Sequence, residues 1–372
     1  MKKIKVLHII GGSELGGAEM HVLTIFEYID KSTFEPYLIC LCKGPMYDEA
    51  VKRGINAIVI PMKHKFDFST IKPLKNYILE NNLDIVHTHG VRANTMARIA
   101  AFLARKPVVT TFHSFIMNDY DSKLEAMVAK YMTLATSPIS TKVITVSDAL
   151  KNDLIKMGIS DKKIVTIYNG IDFSSRIATK TREEVLKELN IDPMQKIVTT
   201  VARLQSVKGH RYFIEAAWFI AKKRSDVHFL IVGEGPLKDS LVKQVNNLGL
   251  HDRVHFTGYR SDIDNIYIAS DIICVTSLIE GQSLVIIEAM WHQKPVISTN
   301  AGGPSEMIIN NETGLLIPPA NPTLLAEKIL LLLDNQQLAA NLALNGKKSV
   351  ERFSVKEMIR KTEEVYLSVL KE

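Results

Sequence analysis

Glu280-Gly281-Gln282-Ser283-Leu284-Val285-Ile286-Ile287-Glu288-Ala289-Met290 is the run around which this chain is organised. It follows the apolar segment 271–276, which reads as a short buried strand. Ser283 stands where a helix N-cap is expected, and Lys294-Pro295 closes the helix. Glu280 then falls in the loop at the strand's carboxyl end, where open α/β sheets bind ligands. Glu288 falls inside the helix among aliphatic neighbours, and a carboxylate so placed is rarely buried unless something donates hydrogen bonds to it. On spacing alone, the two glutamates equally fit an ordinary helix with one Glu on its polar side.

Outward from this run the chain alternates strand and helix. Strand-like runs at 5–10, 37–41, 57–60, 84–87, 108–112, 142–146 and 164–167 are separated by helical patterns such as 92–103 and 148–157. Such alternation means βαβ units and a parallel sheet. The pattern restarts after Asp172, with strands at 197–201, 229–232, 254–257, 272–276 and 296–299. The fold class expected is α/β, with two Rossmann-like domains in tandem and a cleft between them. The polar stretch 169–180, opened by the turn pair Asn169-Gly170, carries the boundary. Ser354-Val355-Lys356-Glu357 reads as a capping box that opens a final helix, with Met358, Ile359, Val365, Tyr366 and Leu370 available for packing.

Composition narrows the function classes. The 372 residues exceed one ordinary core, and 46% apolar with 23% charged residues describe a soluble globular protein. No apolar run reaches the roughly 20 residues that span a bilayer. The opening lysines and the apolar run 6–10 superficially resemble a signal peptide, but the run is too short and reads as the first strand. Cys40, Cys42 and Cys274 show no Cys-x-x-Cys spacing, so neither a disulfide framework nor a zinc site is indicated and a cytoplasmic setting fits. The net charge of +6 suits anionic partners such as nucleotide phosphates or a lipid surface. Nucleic-acid binding is not supported, because no basic cluster is interleaved with aromatics.

Several motifs stand at strand ends. Gly11-Gly12-Ser13-Glu14-Leu15-Gly16-Gly17-Ala18-Glu19 follows the first strand and opens a helix, so backbone N–H groups there can approach a phosphate. A dinucleotide oxidoreductase does not fit: the glycines miss Gly-x-Gly-x-x-Gly, and Leu41-Cys42-Lys43 stands where a ribose-binding acid is expected. Arg203 and Lys208 straddle the loop after the first strand of the second half, where fixed cations can stabilise a leaving diphosphate. Gly233-Glu234-Gly235-Pro236 and Thr257-Gly258-Tyr259-Arg260 end the next two strands. His87, His89 and His113 lie at carboxyl ends in the first half; with Asp119 and Asp121 they invite a metal reading, but the spacings fit no zinc or iron motif. Asp262-Ile263-Asp264 mimics a metal-binding Asp-x-Asp, although Ser261 or Asp262 fits better as a helix cap.

Taken together these motifs resemble, in order and over nearly the whole chain, the family four glycosyltransferases, retaining enzymes of the GT-B fold. Glu280 and Glu288 match the family's Glu-x7-Glu; Gly16 and Gly17 match its Gly-Gly-Ala-Glu loop; Arg203 and Lys208 match Gly-Arg-Leu…Lys-Gly, with Ala202 in place of the first Gly. The resemblance implies that Arg203 and Lys208 bind the diphosphate, Glu280 and His113 the transferred sugar, and Glu288 the ribose. Gly16, Gly17, Gly233, Tyr259, Gln282, Ser283 and Leu284 would complete the donor site, with His87 and His89 in support. Gln282-Ser283 replaces the usual Phe-Gly and bears on which sugar is used. Residues 1–171 with helix 355–372 would bind the acceptor, and 172–354 the nucleotide sugar. The last helix would cross back to the first domain.

The activity implied is transfer of a hexose or N-acetylhexosamine from a uridine-linked nucleotide sugar to a lipid-linked or cell-surface polysaccharide precursor. No cofactor and no metal are required on this reading. A nucleotide-sugar epimerase of the same fold and a non-catalytic sugar- or nucleotide-binding protein are the alternatives. Peripheral contact with the inner face of the membrane is a further expectation, from the cations Lys63, Lys65, Arg92, Arg98, Arg105 and Lys106 and from the amphipathic pattern 123–136 with Met127 and Met132. The competing reading of 123–136 is a core-packed helix.

Overall fold

The computed structural model describes residues 2–371 apart from 14, 65, 66, 119 and 121, so Lys65, Asp119 and Asp121 lie outside the described residues. The chain forms two compact units. One runs to Gly170 and resumes at Val355; the other is Ile171–Ser354.

The first unit holds seven parallel strands: β1 (Ile4–Ile10), β2 (Phe34–Cys40), β3 (Ala57–Val59), β4 (Ile85–His89), β5 (Val108–Phe112), β6 (Lys142–Thr145) and β7 (Ile164–Thr166), in the spatial order 3-2-1-4-5-6-7. The second holds β8 (Lys196–Val201), β9 (Val227–Val232), β10 (Val254–Gly258), β11 (Ile272–Val275), β12 (Val296–Thr299) and β13 (Leu315–Ile317), in the order 10-9-8-11-12-13. Strand order reverses beside β1 and β4 in one unit and beside β8 and β11 in the other. The loops leaving those strands are therefore the ones that open a crevice at the sheet's carboxyl edge.

Strand alternation explains the double-sided burial. In the first unit Leu7, Ile9, Ile39 and Val86 face the helices Ile71–Glu80 and Val91–Leu103, while Val6, Ile85, Val109 and Ile144 face the other way. That second layer receives the final helix, Val355–Val369, through Met358, Ile359, Val365 and Tyr366. Leu370 does not join them; it lies past the helix end and is 43% exposed. In the second unit Val198, Phe229, Ile231 and Cys274 pack on the helices His210–Ala221 and Pro322–Asp334. Ile197, Leu230 and Val232 pack on the opposite side with Val185, Leu186 and Ile266.

Every strand expected from the sequence is present. β13 is an addition beyond those runs, a short edge strand paired along β12. Among the cations expected at the surface, Arg98 is fully buried and donates to Thr110 Oγ1 at 3.1 Å, so it is a core residue. Among the described residues no helix is long and apolar enough to cross a membrane.

Candidate active site

In the second unit the loops after β8 and β11 are bound to each other. Lys208 Nζ donates to both carboxylate oxygens of Glu280, at 2.7 and 2.8 Å, and the Ser277 hydroxyl donates to one of them at 2.6 Å. Backbone contacts fix the same pair of loops: Leu278 N donates to Val207 O at 2.7 Å, and Thr276 Oγ1 to Lys208 O at 3.0 Å. Gly209 makes this closeness possible. Its φ is +68°, and a Cβ there would collide with the Thr276 carbonyl. Glu280 is held from its far side too, by Glu280 N to Ala301 O at 2.8 Å and Gly303 N to Glu280 O at 3.0 Å. A lysine and a glutamate are thus fixed at the switch point of the sheet.

Glu288 sits in the helix Leu284–Trp291 and is 8% exposed. Its burial is answered as the apolar surroundings require: Tyr267 Oη donates to Oε2 at 2.7 Å and Arg176 Nη2 to Oε1 at 2.7 Å. Burial pushes the carboxyl above its ordinary pKa, and Arg176 and the Tyr267 hydroxyl pull it back. Each oxygen keeps lone-pair capacity for one more donor. Neither Tyr267 nor Arg176 was visible in the sequence as a partner, because each comes from a different element.

The other residues expected in the donor site have these positions. Arg203 is half-buried on the loop after β8. Gly233 brings the loop after β9 against that loop: its φ is +135°, and a Cβ would collide with the Ala202 carbonyl. Gln282 and Ser283 are buried and Leu284 is half-buried. Ser283 is the N-cap residue, yet its side chain makes no capping bond, because the turn is held instead through its backbone, Ile286 N to Ser283 O at 3.2 Å. Tyr259 follows the edge strand β10 and is 74% exposed; its neighbour is tied to the site, with Gly233 N donating to Gly258 O at 2.8 Å. Asp262 caps the helix Ile263–Ala269 by position only, since its carboxylate is gripped by Arg260 at 2.8 Å on each oxygen. Asp264 pairs with His292 at 2.8 Å.

The first unit presents the Gly-rich loop and an imidazole cluster. Gly16 precedes the helix Gly17–Tyr28, and its N–H donates to Glu19 Oε2 at 3.1 Å. A Cβ on Gly17 would meet nothing within 4 Å, so the fold itself places no demand for glycine there. Five histidines gather at the ends of β1, β4 and β5. His89 Nε2 and His8 Nδ1 are 3.1 Å apart, and His89 Nδ1 and His113 Nε2 3.3 Å. His87 Nδ1 lies 2.6 Å from Tyr366 Oη and its Nε2 2.7 Å from Thr111 Oγ1. Burial holds His87, His89 and His113 well below the usual histidine pKa, and pushes His8 down to about 3 and His21 to about 4. The Asn169 side chain lies close enough to oppose that shift at His21, without hydrogen-bonding geometry to either ring nitrogen. His8 and His21 were not singled out in the sequence; one is a polar residue inside a strand, the other a residue of an apolar helix, and neither forms a local motif.

Residues 15–175 match the family described as Glycosyltransferase Family 4, and residues 181–349 match Glycosyl transferases group 1. The UDP-Gal:alpha-D-GlcNAc-diphosphoundecaprenol alpha-1,3-galactosyltransferase of Escherichia coli is 30% identical, over 99% of this chain and 98% of its own. The chain belongs to glycosyltransferase family 4. This family 4 glycosyltransferase is also 28% identical to the N-acetyl-alpha-D-glucosaminyl L-malate synthase of Bacillus anthracis, over 82% of this chain and 80% of that one. The Anabaena protein Alr3699/HepE, solved in complex with UDP-glucose, superposes with a TM-score of 0.87 at 25% identity, covering 98% of this glycosyltransferase and all of that chain. The fold is that of the GT-B glycosyltransferases.

Proposed function

We propose that this glycosyltransferase moves a hexose or N-acetylhexosamine from a UDP-sugar to a lipid-linked or polysaccharide-precursor hydroxyl, with retention at the anomeric carbon. The observation that carries the reading is the Lys208–Glu280 pair at the switch point of the second unit, with Arg203 on the same loop as Lys208. The E. coli relative uses UDP-galactose and a diphosphoundecaprenol-linked sugar, and the Anabaena protein binds UDP-glucose; both support the substrate class.

Departure of the diphosphate builds negative charge, and Arg203 and Lys208 stabilise it without a metal ion. Lys208 reaches that charge by sharing its ammonium between Glu280 and a phosphate oxygen. Glu280 and His113 accept from and orient sugar hydroxyls, and Glu288 takes the ribose hydroxyls on its remaining lone pairs. Gly16 and Gly17 admit close backbone approach; Gly233, Tyr259, Gln282, Ser283 and Leu284 shape the rest of the donor site. The acceptor attacks on the face the leaving group vacates, through an oxocarbenium-like state. Residues 172–354 hold the donor, and 1–171 with the last helix hold the acceptor.

The acceptor class favours a cytoplasmic enzyme resting on a membrane. The helix Lys123–Thr136 packs through Ala126, Ala129 and Thr133 and leaves Leu124, Met127, Val128 and Tyr131 exposed, beside the exposed Lys123. An apolar stripe with a flanking cation suits an anionic lipid surface. Sedimentation with anionic vesicles, lost on Leu124→Glu with Tyr131→Glu, tests this part separately.

For the activity itself, the enzyme is incubated with UDP-galactose, UDP-glucose or UDP-N-acetylglucosamine and a lipid-diphosphate-linked sugar. UDP release that needs the acceptor, with an α-linked product by NMR, is expected. Conversion of the nucleotide sugar without acceptor would indicate an epimerase, and full activity of Arg203→Ala would overturn the site.

A further inference from the structure

Three imidazoles of the first unit converge from separate elements: His21 from the helix Gly17–Tyr28, His89 from the end of β4 and His113 just past β5. One ring nitrogen of each lies within 4.8 Å of the others. His89 Nδ1 and His113 Nε2 are 3.3 Å apart. Two nitrogens each about 2.0–2.1 Å from one tetrahedral zinc ion stand about 3.4 Å from each other. That pair already has ligand spacing. His21 is 4% exposed, and among the described residues neither ring nitrogen meets a partner in hydrogen-bonding geometry; the Asn169 side chain lies beside the ring, and a ligated ion would take the lone pair in its place.

The imidazoles behind this triad supply an outer shell. An ion on His89 Nδ1 leaves its Nε2–H to donate to His8 Nδ1, at 3.1 Å. His8 Nε2–H then points to Tyr366 Oη at 3.5 Å, the Tyr366 hydroxyl donates to His87 Nδ1 at 2.6 Å, and His87 Nε2–H to Thr111 Oγ1 at 2.7 Å. Each neutral imidazole has one donor and one acceptor, and this single direction of donation satisfies every ring in the row. Hydrogen bonds of this kind orient metal-bound histidines. His8 and His87 also approach His89 at ligand distance, but their nitrogens are committed to this row.

The geometry points to a binding site for one divalent ion of the zinc class at His21, His89 and His113, which when filled withdraws His113 from the sugar and slows transfer. The ion is not part of the transfer chemistry. Imidazole ligands suit zinc, cobalt, nickel and copper, and reject magnesium and calcium. His113 is half-buried where His21 and His89 are buried, which makes it the most exposed of the three ligands. The inhibition, unlike the binding, rests on the proposed role of His113.

Titrating the full-length enzyme with Co²⁺ should give an intense visible band that saturates at one equivalent and is quenched by Zn²⁺. Both His21→Ala and the more accessible His113→Gln should weaken Co²⁺ binding at least tenfold, with folding checked by circular dichroism; His251→Ala, a surface control, should not. Micromolar Zn²⁺ should reduce turnover several-fold, reversibly with EDTA. Absence of the band, or a band that survives both substitutions, overturns the site. A band as expected with undiminished turnover upholds the site and overturns the role given to His113.

Discussion

Lys208 bridges both oxygens of Glu280, and through them the loops after β8 and β11 become one surface. The lysine is 24% and the glutamate 11% exposed, so the pair is shielded enough to be held yet open enough to exchange partners. An arriving diphosphate competes for an ammonium that is already in position, with no reorganisation to complete. Arg203→Ala should therefore lower kcat by about 10²–10³, the usual loss of one fixed donor to a developing charge, a larger effect than its effect on Tm. Lys208→Met should lower both, because Glu280 would keep only the Ser277 hydroxyl. Initial rates of UDP release beside thermal melts separate the two cases.

Glu288 allows a sharper division between structure and function. Tyr267→Phe removes one of the two donors to a buried carboxylate and should cost about 1–3 kcal/mol, seen as a lower urea midpoint. Glu288→Gln keeps the shape but is a poorer acceptor for paired ribose hydroxyls. It should weaken the UDP-induced rise in Tm, whereas a purely structural Glu288 would leave that rise intact.

Two glycines make the same point from the opposite direction. Gly209→Ala puts a Cβ into the Thr276 carbonyl at φ +68° and should lower Tm by several degrees, with loss of activity following from the displaced Lys208. Gly17→Ala meets no protein atom within 4 Å and should melt like the parent. If the Gly-rich loop admits a substrate closely, the same change should raise KM; an unaltered KM would mean that neither the fold nor the substrate requires glycine at 17.

The alternation of apolar runs was enough to place twelve of the strands, because a buried parallel strand is a continuous apolar run whatever its partners are. Glu280, Lys208 and Arg203 were legible for a related reason: each stands one short loop beyond such a run. The partners were not. Tyr267 and Arg176 meet Glu288 from elements 21 and 112 residues away in sequence, differences fixed by 288 − 267 and 288 − 176, and no local period records such a meeting. His21, His89 and His113 meet in the same way, so spacing along the chain carried no sign of them. The helix Lys123–Thr136 shows a different limit. Its sequence has an apolar side, but Ala126 and Ala129 are buried while Leu124 and Tyr131 are not, and only packing decides which side faces inward.

Acid should destabilise the protein well before its carboxylates titrate. Burial holds His8 down to about 3, and His210 and His228 to about 4; the Lys208 charge adds to the effect at His210, and His255 with Arg253 at His228. In the unfolded chain each imidazole returns to about 6.5. Below that value the unfolded state binds protons that the folded state refuses, so stability falls as pH falls. The neutral-ring contribution is complete above pH 6.5 and is lost progressively from there down to about 4 for His210 and His228 and about 3 for His8. His8 and His210 each contribute a slope of up to about 1.4 kcal/mol per pH unit in that window, and half-buried His228 less, because solvent screens it. Thermal melts at fixed ionic strength from pH 7.5 to 5 should show Tm level at first and then declining below about 6.5, and His210→Gln should make the decline shallower. A Tm that held constant down to pH 5 would mean that these rings take up protons in the folded state, against the burial observed.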